Sequence, residues 1–170
     1  MFLRFYKRFI LKKIVKKNFS NNEKQISEIK IKSVAILVNG IHFKAIDQLM
    51  AFIEKEGISQ VKAFVFTRDK KAESTKNSIY FSSDDIESNG QLKNPDLLQQ
   101  ITYPYDLLIN YYDEKNTELL YLSSISKAGF RVGFKQNHFG QNDFMIDVNS
   151  SEYKTFVSEL FKYLKNFNKI

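Results

Sequence analysis

The sequence predicts an α/β fold in which a mainly parallel sheet is covered by helices on both faces, giving three layers. Three observations predict it. Short apolar runs alternate with stretches of helical periodicity along most of the chain, the pattern that sets strands side by side and helices over them. One run, Ser33-Val-Ala-Ile-Leu-Val-Asn39, is apolar at every inner position, as a strand buried on both faces must be. The spacer from Ile41 to Gly57, between this run and the next, has the length of a crossover helix.

The elements follow in order. Asn39-Gly40 turns the chain after the first strand, and Phe43, Ile46, Leu49, Met50 and Ile53 recur at helical spacing up to Gly57, a suitable C-terminal cap. Val61 to Thr67 is the second strand, and the charged loop from Arg68 to Asn77 leads to a short third strand, Ser78 to Ser82. Asp84, Asp85, Asn89 and Gly90 mark turns, and Pro95 starts a short helix over Asp96 to Gln100. Tyr105 to Tyr111 is the fourth strand, with Pro104 just ahead of it, where a missing N–H does least harm. Asn116 caps a helix carrying Leu119, Leu120, Leu122, Ile125 and Ala128, with Gly129 ending it. Phe130 to Phe134 and Phe144 to Val148 give two more strands. Ser150 or Ser151 then caps a final helix whose apolar side holds Tyr153, Phe156, Val157, Leu160, Phe161, Leu164 and Phe167.

This order describes a single Rossmann-like α/β domain over residues 33–170, preceded by a polar hinge at 20–32 and a basic, aromatic arm at 1–19 expected to be helical. A chain of 170 residues is about one domain, and its 43% hydrophobic content, with 16 Phe and 9 Tyr, suffices for a packed core. Neither internal repeats nor low-complexity tracts interrupt it.

Composition excludes several chemistries. The absence of cysteine removes disulfides, thiolate metal sites and thiol nucleophiles. Arg4, Lys7, Arg8, Lys12 and Lys13 interrupt every apolar run near the start, which argues against a secretory signal and a spanning helix and makes a cytoplasmic location the expectation. Charge is unevenly placed. Residues 1–17 carry Arg4, Lys7, Arg8, Lys12, Lys13, Lys16 and Lys17 and no acid, which accounts for the whole net charge of +7. From Asn18 onward, 19 basic residues balance 19 acidic ones.

Tyr105-Asp-Leu-Leu-Ile-Asn110, a Leu-rich helix and Lys127-Ala-Gly-Phe-Arg-Val-Gly133 together resemble the N-terminal half of heptosyltransferase-like glycosyltransferases, where a D-L-V-I-D strand and a helix lead into an A-x-x-R-I-G strand. The match spans about thirty residues and implies the fold. In those enzymes a second Rossmann-like domain binds the nucleotide sugar, and this chain ends at Ile170, so glycosyl transfer is not expected of it. Over nearly its full length the chain is similar to a family of short, uncharacterised bacterial proteins with a basic start, an S-V-x-I-L-V strand and a Y-D-L-L-I-N…S-K-A-x-F-R-V-G block. That resemblance also implies fold alone.

Ligands of open parallel sheets sit beyond the C-terminal ends of strands, which selects Asn39, Gly40, His42, Thr67, Arg68, Tyr112, Asp113 and Glu114 as a possible rim. The first loop lacks the glycines of a pyrophosphate site, and no P-loop pattern occurs, so no nucleotide cofactor is expected. Gly40 is accounted for by a tight turn needing glycine for its conformation. Asp113 and Glu114 could bind a metal or form an acid–base couple, although solvated or helix-capping roles explain them more simply, as turns explain Asp84 and Asp85. His42 and His138 are the only imidazoles; no metal-ligand spacing joins them, and His138 sits in an amide-rich turn, so no metal is expected.

The arm is the least ordinary feature. As a helix it places Phe2, Phe5, Tyr6 and Phe9 on one arc, with Arg4, Lys7, Arg8 and Lys12 mostly opposite, while Lys13, Lys16 and Lys17 intrude on the apolar side. Three uses compete: burying the Phe face in an anionic membrane surface, stacking on ribosomal RNA with lysines on phosphates, or packing on the domain itself, a second copy or a protein partner. The leading expectation is a non-enzymatic binding or adaptor protein attached to an anionic surface, with the inner face of the cytoplasmic membrane favoured. An RNA- or ribosome-associated protein comes second, without DNA sequence readout. A small transferase-like enzyme using the rim comes third.

Overall fold

A computed structural model describes residues 2–21, 30–69, 71–137 and 140–170, with only the backbone at position 137. Most of the expected hinge, residues 22–29, and His138 lie outside the described residues. The elements are α1 (Phe2–Ser20), β1 (Ser33–Asn39), α2 (Ile46–Glu54), β2 (Gln60–Phe66), β3 (Ser78–Phe81), α3 (Pro95–Ile101), β4 (Leu107–Tyr111), α4 (Thr117–Ile125), β5 (Phe130–Phe134), β6 (Phe144–Ile146) and α5 (Tyr153–Asn166). The six strands form one sheet in the order β3-β2-β1-β4-β5-β6, and every pair is parallel. This is the doubly wound order, with the chain reversing direction across the sheet between β1 and β4.

All seven residues of β1 are buried, as a strand paired on both sides and covered on both faces requires. Alternate residues feed two cores. Val34, Ile36, Val38, Val61, Val65, Leu107 and Ile109 face α2 and α5, whose Leu49, Ile53, Phe156, Leu160 and Leu164 complete the first core. Ala35, Leu37, Phe64, Phe66 and Leu108 face the other way, against Leu97 and Ile101 of α3, Leu119 and Leu122 of α4, and Leu11 of α1.

Local chemistry sets the boundaries. Asn94 caps α3 by accepting from the amides of Asp96 and Leu97, with Pro95 in the first turn, and Asn116 caps α4 by accepting from Leu119 N at 2.9 Å. The acceptor role of Asp85 in a capping box with Ser82 explains the Asp84-Asp85 turn. Several expected boundaries are corrected. α4 ends at Ile125, where Ser126 turns extended, so Ala128 and Gly129 lie beyond the helix. The helix after β1 starts at Ile46, because Asn39 holds residues 41–43 in a turn: its carbonyl accepts from the amides of His42 and Phe43. β4 starts at Leu107, because the Asp106 carboxylate turns back to accept from the amides of Lys32 and Ser33 and from Ser33 Oγ, pinning the start of β1. Neither Ser150 nor Ser151 caps α5: Glu152 precedes the helix without a side-chain cap bond, Ser150 Oγ donates to Asp113, and Asn149 accepts from the Ser151 amide and hydroxyl.

α1 is docked on the domain. Leu11 is fully buried, with Ile14 and Val15 packed beside it in the core shared with α3 and α4. Gly90 permits this contact: it sits at φ +89°, and a Cβ there would lie 2.4 Å from Ile14 Cδ1. Lys7 Nζ donates to the Ser83 carbonyl, and Asn18 Nδ2 donates to Ser124 Oγ at 3.3 Å. Residues 7, 11, 14 and 18 are spaced by three or four, so they make one face of the helix.

Candidate functional site

The reversal point between β1 and β4 gathers part of the expected rim. Asn39, almost wholly buried at the end of β1, uses both ends of its amide: Oδ1 accepts from Ile41 N at 3.1 Å and Nδ2 donates to Glu114 Oε1. His42 Nε2 lies 3.3 Å from the same carboxylate oxygen. Glu114 thus bridges the loops that follow β1 and β4. Gly40 is needed here for room rather than for its own conformation: its amide donates to Phe66 O at 2.9 Å, and a Cβ would lie 2.5 Å from Val65 Cγ1, while its φ is not positive.

The other rim residues point elsewhere. Asp113 accepts from Ser150 Oγ, and Tyr111 OH donates to the Ser150 carbonyl at 2.6 Å, so this carboxylate ties β4 to the loop before α5. Arg68 stands exposed beyond β2, on the opposite side of β1 from Glu114. A carboxylate that orients a histidine and stabilises its charged form is the minimum of an acid–base device. Here the His42 and Glu114 side chains are 63% and 43% exposed, so water screens the pair to a small interaction. Among the described residues no group of three His, Cys, Asp or Glu could hold a metal ion.

Beside this cluster, Asn110 and Asn142 form a buried amide pair on the α4 side of the sheet, with Asn110 Nδ2 donating to Asn142 Oδ1 at 2.7 Å. The Asn142 amide lies over Gly133, where a Cβ would come within 2.4 Å of Nδ2. The signal for Asn110 in the sequence is a lone amide closing an apolar strand.

The second candidate is α1. Its aromatic face is turned away from the domain: Phe2, Phe5 and Phe9 are 82%, 68% and 65% exposed, and Leu3 and Tyr6 are exposed with them. Lys13 and Lys16 continue the same three-and-four spacing, and Lys12, expected opposite the Phe arc, instead falls beside it; all three are exposed, as are Arg4, Arg8 and Lys17. Lys7 alone among the basic residues of the arm is drawn inward. Desolvation holds its ammonium below the ordinary lysine range, with the Glu118 carboxylate acting in the opposite sense. Glu118 is itself buried and accepts from Ser83 Oγ. No described helix is long and apolar enough to cross a membrane.

Along the flank of α1, between its C-terminal half and the start of α4, runs an open groove of about 460 Å³. Lys12, Lys16 and Lys115 stand around it, and Val15, Phe19 and Leu120 supply its apolar wall. Sequence reading missed this groove, because Lys115 and Lys12 are joined only by the docking of α1. No curated protein and no solved structure matches the chain. A family model matches residues 7–167, from the second turn of α1 to the end of α5, and on that match the chain belongs to the family of unknown function DUF6913.

Proposed function

We propose that this protein is a non-enzymatic adaptor that rests through the outer face of α1 on an anionic membrane surface, the inner face of the cytoplasmic membrane being favoured. The observation that carries this reading is the exposure of Phe2, Leu3, Phe5 and Phe9 on a helix whose opposite face is already committed to the core. An apolar patch held on a folded body marks an interaction surface. Phenyl rings at the acyl boundary with lysines one turn further on fit the chemistry of interfacial helices. Each lysine near an anionic surface contributes about 1 kcal/mol.

Flotation with phosphatidylglycerol-containing vesicles tests it. The full chain is expected to float with these and not with phosphatidylcholine vesicles, less so as salt rises. The F2S/F5S/F9S variant is expected to stay behind with unchanged thermal unfolding, since none of the three rings is buried. Equal flotation of the variant defeats the reading. Nuclease-sensitive cosedimentation with ribosomes in place of vesicle binding would assign the same face to RNA.

A further inference from the structure

We propose that the groove between α1 and the start of α4 binds a phosphate monoester that carries an apolar or aromatic portion. Lys12 and Lys16 stand one helical turn apart on α1, and Lys115 stands across from them just before α4, so three lysine side chains line one opening. α4 begins at Thr117, which also lines the groove, and the positive end of its helix dipole therefore adds to the same field. Lysine suits a phosphate because each ammonium offers several donors without fixed geometry.

The wall is of the other kind. Val15 and Phe19 are partly exposed on the flank of α1, and Leu120 closes the floor from α4. A fully polar anion would leave these surfaces wet, whereas a phosphate attached to a hydrocarbon or a ring covers them while its charge stays among the lysines. The volume, about 460 Å³, lies in the range of small-molecule sites. The groove depends on α1 being docked, since five of its lining residues, Lys12, Val15, Lys16, Phe19 and Ser20, come from that helix. All of them fall within the part of the chain that matches the family model.

The shared chemistry admits two sources, a membrane lipid with a terminal phosphate and a soluble phosphorylated metabolite. Calorimetric titration of the full chain with octyl phosphate, inorganic phosphate and octyl glucoside, each below its micelle-forming concentration, tests the site itself. Octyl phosphate is expected to bind at least about tenfold more tightly than either of the others, because only it engages lysines and wall together. K12A/K16A/K115A is expected to weaken it by roughly a hundredfold, and F19A by about tenfold, with the thermal transition of the lysine variant unchanged. Equal binding of octyl glucoside, or an undiminished affinity in the lysine variant, overturns the proposal.

Competition then separates the sources. Displacement by dihexanoyl phosphatidic acid at lower concentration than by adenosine monophosphate points to a lipid, and the reverse order to a soluble ligand; displacement by neither overturns the site. The F2S/F5S/F9S variant separates this proposal from membrane attachment. It is expected to bind octyl phosphate as the unaltered chain does even where it no longer floats with vesicles. Loss of both would move the binding to the aromatic face and overturn the groove.

Discussion

At the scale of single residues, glycine and asparagine do the positioning. Gly57 and Gly90 share a left-handed backbone, at φ +92° and +89°, but differ in surroundings: nothing lies within 4 Å of a Cβ at Gly57, while one at Gly90 meets Ile14 of α1. The pair therefore separates backbone strain from helix docking. G57A is expected to cost about 1 kcal/mol, the strain of a side chain in that conformation. G90A is expected to cost that and a further ~1–3 kcal/mol for crowding against Ile14. Urea unfolding of the two variants measures the difference, and equal midpoints would mean that α1 does not press on Gly90. Asn39 shows the same economy at the reversal point, where one buried amide holds both its own turn and Glu114.

At the scale of elements, α1 is part of the core as well as a carrier of charge. Leu11 is fully buried between α4 and the turn at Gly90, so L11A is expected to cost ~2–5 kcal/mol by the same unfolding measurement. Removing residues 1–20 outright would uncover the apolar faces of α4 and of that turn, and the shortened chain is expected to bind a hydrophobic dye and aggregate. Loss of membrane association on such a deletion would thus confound unfolding with lost attachment, which is why point changes on the outer face are the better probe. What the sequence made legible follows from this. The run at 33–39 declares a central strand because burial on both faces leaves no polar position, and β1 has the expected bounds. The cap at Asn116 and the start of α3 at Pro95 are legible because such signals are local, although sequence reading missed the capping of α3 by Asn94. The docking of α1 is not, since it turns on contacts such as Lys7 with Ser83, seventy-six residues apart, and on a glycine that reveals nothing of its neighbour. The periodicity of α1 shows its Phe arc clearly, but the arc that packs is the one through Leu11 and Ile14, diluted by Lys7 and Asn18. The candidate site divides likewise: strand ends single out Asn39, His42 and Glu114, whereas the groove at Lys115 exists only once two distant helices meet.

At the scale of the whole molecule, burial of tyrosine gives the fold an alkaline limit that also reports on α1. Burial raises the phenol of Tyr105 from its ordinary value to about 12, and it raises those of Tyr111, Tyr112 and Tyr121 in the same direction, with Asp113 and Tyr153 adding to the effect at Tyr111. A phenol that ionises later in the folded state keeps its proton while the unfolded chain has lost it. Its contribution to stability is whole below the ordinary value of 10.0 and disappears as pH rises from there through about 12 for Tyr105. Of the nine tyrosines, these four are expected to resist ionisation until the molecule opens. Absorbance of phenolate followed alongside circular dichroism checks this: the phenolate that these four contribute appears together with the loss of the dichroism. Ionisation of all nine in a single step near pH 10 with the dichroism unchanged would contradict the burial of the four. Tyr121 makes the experiment informative about the arm, because its hydroxyl donates to the Gly90 carbonyl beneath the docked helix. In L11A, where α1 is loosened, one phenol of the four is expected to ionise ahead of the loss of dichroism, while Tyr105, Tyr111 and Tyr112 still ionise with it. An unchanged division in L11A would mean that the Tyr121 environment stands without α1, and that the basic helix and the neutral domain are coupled less tightly than their shared core implies.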